Sequence, residues 1–227
     1  MKLRLVKKQN KAKGTKSFFF DPNEKNIWKP GQYLYLTLGD ITKQFTIASS
    51  PTEKYIQVTT RIRKESEFKQ NLDSLEIGEE VEARSPFGSF IFPIINSSQL
   101  TLNCFLAGGI GITPFRSMIK YSIDKNFKKP IFLIYSNSDS DFVFKNELDK
   151  WQTENDFLKI YYHNSGESGH LNSDKIKEIF GTWNLKFEIS SMMWVVGPSS
   201  FVNSMEDSLE QLDIKSDIIQ SEKFIGY

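Results

Sequence analysis

Leu106-Ala107-Gly108-Gly109-Ile110-Gly111-Ile112-Thr113-Pro114 follows the apolar run Leu102-Asn103-Cys104-Phe105 and precedes Phe115-Arg116-Ser117-Met118-Ile119, which has a helical look. A strand that ends in glycines and opens a helix lets the backbone turn sharply, and the N–H groups at the helix start favour an anion. Pro114 suits the first helical turn, where its missing donor is no loss. Gly109-Ile110-Gly111 supplies two glycines of a dinucleotide-type turn, and Pro114 stands where a third is expected. The competing reading of the same residues is a tight turn whose glycines serve packing alone.

On the C-terminal side of this turn, apolar runs alternate with amphipathic helices. Strands are predicted at 101–107, 131–135, 158–162 and 192–196, and helices starting at Pro114, Phe144, Asp174 and Ser199. Near-continuous apolar strands alternating with helices imply a parallel sheet covered on both faces, with ligands collecting at the carboxyl ends of the strands. On the N-terminal side, up to about residue 98, short runs at 3–6, 16–20, 33–38, 44–48, 55–62 and 80–83 are separated by Gly, Pro and Asp turns. That rhythm predicts an antiparallel barrel or sandwich, with one helix at 66–75 carrying Phe68, Leu72 and Leu75 on one face.

The formal net charge of +1 conceals an asymmetry. Residues 1–16 hold Lys2, Arg4, Lys7, Lys8, Lys11, Lys13 and Lys16 and no acid, leaving 22 basic against 28 acidic residues elsewhere. This end either steers an acidic protein partner or forms a solvated edge strand. Without interleaved aromatics it does not suit nucleic acid. The single cysteine, Cys104, excludes an internal disulfide or a Cys-rich cluster, and His163 and His170 are poorly spaced for a metal. No apolar run reaches the roughly 18 residues of a membrane span, and the start lacks an apolar signal core. A cytoplasmic monomer binding no metal is expected.

In chain order, Pro30-Gly31-Gln32-Tyr33, Lys43-Gln44-Phe45-Thr46-Ile47-Ala48-Ser49-Ser50-Pro51, Pro86-Phe87-Gly88-Ser89-Phe90, the glycine turn, Phe144-Lys145-Asn146-Glu147-Leu148, Val196-Gly197-Pro198 and Glu222-Lys223-Phe224-Ile225-Gly226-Tyr227 resemble the ferredoxin–NADP reductase superfamily of flavoenzymes. The likeness is to the stand-alone form without an iron–sulfur domain. It implies two domains: an N-terminal antiparallel β-barrel (1–98) holding FAD, and a C-terminal α/β parallel-sheet domain (99–227) holding NADH or NADPH.

By this resemblance the family's Arg-x-Tyr-Ser/Thr element falls on Lys43, Phe45 and Thr46. Lys43 would face the flavin pyrophosphate, Phe45 would pack on the ring, and Thr46 would bond near its reactive nitrogen, with Ile47 and Ser49 continuing the segment. Gly88, Ser89 and Phe90 match a second flavin-phosphate segment, and Thr59, Thr60 and Arg61 the strand flanking the cofactor. Gly108, Gly109, Gly111, Ile112 and Thr113 match the nicotinamide-side pyrophosphate loop. Gly197 and Pro198 match a Cys-Gly-Pro turn in which Val196 replaces the cysteine. Phe224, or else Tyr227, would shield the flavin, with Glu222 a polar neighbour of the nicotinamide.

The implied activity is FAD-dependent hydride removal from NAD(P)H, with electrons passed to a separate acceptor: ferredoxin, flavodoxin, or a small molecule such as free flavin or a quinone. The alternatives are a non-catalytic flavin- or nucleotide-binding module and an electron-transfer subunit of a larger complex. The absence of Lys and Arg from 136–141 and 161–170 favours NADH, with Lys145 the one base in reach of a 2′-phosphate.

Overall fold

A computed structural model describes residues 1–22, 28–92, 102–185 and 191–224. The chain divides into two compact units, Met1–Pro93 with Thr113–Asn126, and Ile94–Ile112 with Phe127–Tyr227.

In the first unit, β1 (Lys2–Ala12), β2 (Thr15–Asp21), β3 (Tyr33–Leu38), β4 (Ile41–Thr46), β5 (Ile56–Arg61) and β6 (Glu80–Phe87) form one antiparallel sheet in the order β4-β3-β6-β1-β2-β5. The Ile47–Val58 bridge and the 2.7 Å bond from the Ala48 N–H to the Gln57 carbonyl join the residues just after β4 to β5, drawing the two ends of the sheet together as a barrel. Inside lie Leu3, Leu5, Phe18, Phe20, Leu34, Leu36, Ile47, Ile56 and Val58. They alternate with outward residues as the strand period requires. Helix α1 (Glu67–Ser74) buries Phe68 and Leu72 in the same core. Its Ser66 cap accepts from the Lys69 N–H. Lys8 Nζ bonds the Asp73 and Leu75 carbonyls at 2.9 and 2.6 Å, and Lys16 pairs with the Asp73 carboxylate at 2.6 Å. Two cations thus complement the negative end of the helix.

The second unit contains β7 (Leu102–Gly108), followed by a 3₁₀ turn at Gly109–Gly111 that leads into α2 (Ile112–Asp124). Most of α2 packs with the first unit. Then come β8 (Ile131–Asn137), α3 (Lys145–Glu154), β9 (Leu158–Asn164), the single turn α4 (Ser165–Ser168), α5 (Ser173–Thr182), β10 (Ser191–Pro198), α6 (Ser199–Glu210) and β11 (Ile219–Phe224). Their sheet has the order β11-β10-β7-β8-β9, and each neighbouring pair is parallel. All seven residues of β7 are buried, which explains its unbroken apolar character. Trp194 Nε1 donates to Asn103 Oδ1 at 3.1 Å, linking β10 to β7 by a side-chain bond inside the sheet.

Three sequence expectations change here. The strand set at 44–48 is the end of a β3–β4 hairpin beginning at Ile41, with Gly39 (φ +57°) in its turn. The segment at 219–224, where no strand is predicted, is one, hidden in the sequence because an edge strand keeps polar residues at Gln220, Ser221 and Lys223. The basic run is not a free patch. Besides Lys8 and Lys16, Arg4 and Lys2 pair with Glu80 at 3.4 and 3.6 Å, and Lys7 lies over the Phe19 ring.

Candidate functional site

The glycine turn combines a conformational need with a packing need. Gly109 has φ +54°, a left-handed conformation that side chains disfavour. At Gly111 a Cβ would sit 2.3 Å from the Val196 carbonyl oxygen, and at Gly108 one would meet the Phe201 ring at 2.6 Å. The turn therefore seats directly on the backbone of β10, and Gly197 likewise approaches Gly108. Packing accounts for Gly108 and Gly111, and turn geometry for Gly109. Ile112 and Thr113 are buried where α2 begins, and the first turn of α2 has no acid to offset its positive end.

At the carboxyl end of β10, Val196 is fully buried, with Gly197 buried and Pro198 partly exposed. Val196 is in register with Glu222 of β11, and Pro198 with Phe224. Glu222 and Phe224 are both half-buried and share one side of the strand. One Glu222 carboxylate oxygen has no hydrogen-bond partner among the described residues, and burial pushes this carboxyl up to about 7. Tyr227 lies outside the described residues.

Beyond β8, Asp139 Oδ1 accepts from Asn137 Nδ2 and from the Asp141 N–H, both at 2.9 Å. Lys145 Nζ is 2.6 Å from Asp149 and lies 4.4 Å above the centre of the Tyr162 ring, while the Tyr162 hydroxyl donates to Asp149 at 2.7 Å. The base in reach of a 2′-phosphate is thus engaged. His163 is buried with a ring nitrogen 2.8 Å from the Gly169 carbonyl, and no metal-binding cluster occurs among the described residues.

In the first unit, Lys43 is exposed on β4, and Thr46 is buried opposite Tyr33. Phe45 departs from expectation. It is 2% exposed and stacks on Phe68 of α1 at 5.5 Å, as a core residue, so its ring is not presented to a ligand. Ile47 is also core, and Ser49 uses its hydroxyl to accept from the Gln57 N–H at 2.9 Å. Thr59 bonds Ser17 inside the barrel at 2.7 Å. The Thr60 hydroxyl is fully buried without a partner among the described residues, and Arg61 is exposed. Gly88 (φ +108°) turns beside the Tyr33 ring, Ser89 is exposed, and Phe90 is buried with its ring 6.3 Å from that of Phe115.

Sequence reasoning missed the start of α1. Lys69, buried in its first turn, has its ammonium held below the ordinary range by burial and then by the neighbouring charges of Arg63 and Lys43. Lys43, Arg63 and Lys69 thus influence one another near this capped start, beside the acids Glu65 and Glu67, a set with a net positive charge that could hold a pyrophosphate. The signal was present as Arg61, Arg63 and Lys64 immediately before a Ser66 cap. FAD fits this unit on that ground.

Residues 2–92 match the family described as oxidoreductase FAD-binding domain, and residues 105–207 that described as oxidoreductase NAD-binding domain. The chain is 23% identical over 231 residues to flavohemoprotein A of Dictyostelium discoideum, covering 92% of this chain and 56% of that protein. It is 27% identical over 200 residues to the glycine betaine monooxygenase reductase subunit of Pseudomonas aeruginosa, covering 81% and 52%. The chain thus spans little more than half the length of these curated relatives. Ferredoxin–NADP⁺ reductase from Plasmodium falciparum has the same fold, with a TM-score of 0.83 at 18% identity over 98% of this chain and 95% of that one. The antiparallel barrel thus belongs to the oxidoreductase FAD-binding domain family and the parallel-sheet segment to the oxidoreductase NAD-binding domain family, in a two-part fold shared with ferredoxin–NADP⁺ reductase.

Proposed function

We propose that the protein takes hydride from NADH and passes the electrons to a separate acceptor, a ferredoxin or flavodoxin or a small molecule such as free flavin. What supports this reading is that residues 2–92 and 105–207 match oxidoreductase FAD-binding and NAD-binding families, while the cations near the start of α1 and the glycine turn before α2 each suit a phosphate. By cofactor, the division of labour falls at 1–98 for FAD and 99–227 for the nicotinamide nucleotide. FAD, when bound, accepts two electrons as hydride and can release them singly.

The protein residues bind and orient. Lys43 and Lys69 hold phosphate charge, Gly88 gives close backbone approach, and the Thr46 hydroxyl offers a hydrogen bond to the flavin. The start of α2 receives the dinucleotide phosphates, and Glu222 holds a proton near neutral pH. Phe224 supplies an aromatic surface that excludes water from the reacting rings. NADH is the proposed donor because Lys145 is engaged by Asp149 and Tyr162, and Asp139 and Asp141 repel a 2′-phosphate.

An external acceptor is supported by the relative named as a reductase subunit of a monooxygenase. The test is anaerobic addition of NADH or NADPH to the yellow purified protein, followed by each acceptor in turn. Bleaching by NADH and recovery on adding acceptor would support the reading. A colourless protein, or a yellow one bleached by neither nucleotide, would refute it.

A further inference from the structure

The segment that follows the flavin strand is gripped by side chains of α2. Arg116 is 5% exposed, and its Nη1 donates to the Ala48 carbonyl at 2.9 Å. Its guanidinium also forms a two-pronged pair with Glu53, at 2.9 and 3.1 Å. Ser117 Oγ donates to the Ser49 carbonyl at 2.6 Å, and Trp28 Nε1 reaches the same oxygen at 3.0 Å. Thr52 donates to Asp124 farther along the helix, and Glu53 accepts from the Ser50 N–H at 2.7 Å.

The barrel does not need this grip for closure. The Ile47 and Ala48 N–H groups are already bound to the Gln32 and Gln57 carbonyls, at 3.0 and 2.7 Å. What α2 adds is control of the next two carbonyls, those of Ala48 and Ser49, only two and three residues beyond Thr46. Arg116 also stands one helical turn after Ile112, where the glycine turn ends and α2 starts. A guanidinium bonded at once to the Ala48 carbonyl and, by two prongs, to Glu53 ties the turn after Thr46 to the first turns of α2.

We propose that Arg116, supported by Ser117, is a positioning residue that relays phosphate occupancy at the start of α2 to the Thr46 hydroxyl and hence to the flavin. The relay rests on the reading that α2 receives dinucleotide phosphates and that Thr46 faces FAD. It makes the flavin environment respond to the dinucleotide before a nicotinamide ring arrives.

The probe is ADP-ribose, which carries the two phosphates and no nicotinamide. FAD-loaded wild-type protein should bind it by calorimetry and show a difference spectrum in the flavin bands. Arg116→Lys keeps the charge and loses the fork; Ser117→Ala removes one bond and is the safeguard if the first variant folds poorly. Either should retain FAD and ADP-ribose affinity while the difference spectrum shrinks by about fivefold. Wild-type protein that binds ADP-ribose without a spectral change overturns the relay alone, as does a full-sized change in a folded variant. Wild-type protein that retains no FAD or binds no ADP-ribose overturns the underlying reading and the relay with it.

Discussion

Replacing Glu222 by glutamine should flatten the pH dependence of stability by a predictable amount. The folded protein raises this carboxyl from 4.5 to about 7 by burial, so it holds a proton that the unfolded chain releases. The native state therefore binds more protons between these values, and stability contributed by the group is lost as pH rises through that window. Integrating the two titrations from pH 5 to pH 8 gives a loss of about 2.5 kcal/mol in the wild type. Glu222→Gln has no proton to lose there, while every other titrating group is shared and cancels in the difference. Urea unfolding at pH 5, 6, 7 and 8, followed by tryptophan fluorescence, measures both curves. They should diverge by about 2.5 kcal/mol across the range, the variant being relatively more stable at pH 8. Parallel curves would show that Glu222 ionises as an ordinary exposed carboxyl and would refute the argument from burial.

Gly111→Ala should cost about 2 kcal/mol and abolish ADP-ribose binding, because the new methyl meets the backbone of Val196 and Gly197 rather than a movable side chain; thermal melting and calorimetry check both. Lys69→Ala and Lys43→Ala should each lower FAD affinity by about tenfold, more than Thr46→Ala does, since contacts to phosphate charge exceed neutral hydrogen bonds. Fluorescence titration of the apoprotein with FAD ranks the three variants. Asp149→Asn should free Lys145 and narrow the NADH-over-NADPH ratio of kcat/KM by about threefold, in keeping with the modest strength of an exposed ion pair.

The parts of the fold legible in sequence were those where one physical requirement dominates. Burial on both faces made β7 continuously apolar, and the combined demands of turn, packing and helix start made 108–114 recognisable. Strand β11 was illegible because one of its sides is open, so its polar residues give no strand pattern. Phe45 shows a different limit. Aromatic and hydroxyl residues alternate both in a cofactor-facing strand and in a barrel wall, and only the stacking partner Phe68, on a helix 23 positions away, decides which face is core. Of Lys43, Arg63 and Lys69, only Arg63 stands in a basic run of the sequence, whereas Lys43 on β4 and Lys69 on α1 are distant along the chain and come near it only in the fold.

The passage of α2 into the first unit bears on how such proteins can be recombined. A cut at 98/99 falls between the segments that match the FAD-binding and NAD-binding families, yet it also removes Arg116 from Glu53 and Ser117 from the Ser49 carbonyl. A nucleotide-binding module exchanged at that boundary must therefore carry a helix whose side chains match the 48–53 turn of its new host. Without that match, the Ala48 carbonyl, the Ser49 carbonyl and the Glu53 carboxylate each lose a donor from α2, Ser49 keeping Trp28 Nε1 and Glu53 keeping the Ser50 N–H. Successful module exchange in this architecture is expected to track the complementarity of one arginine and one glutamate more closely than overall sequence similarity.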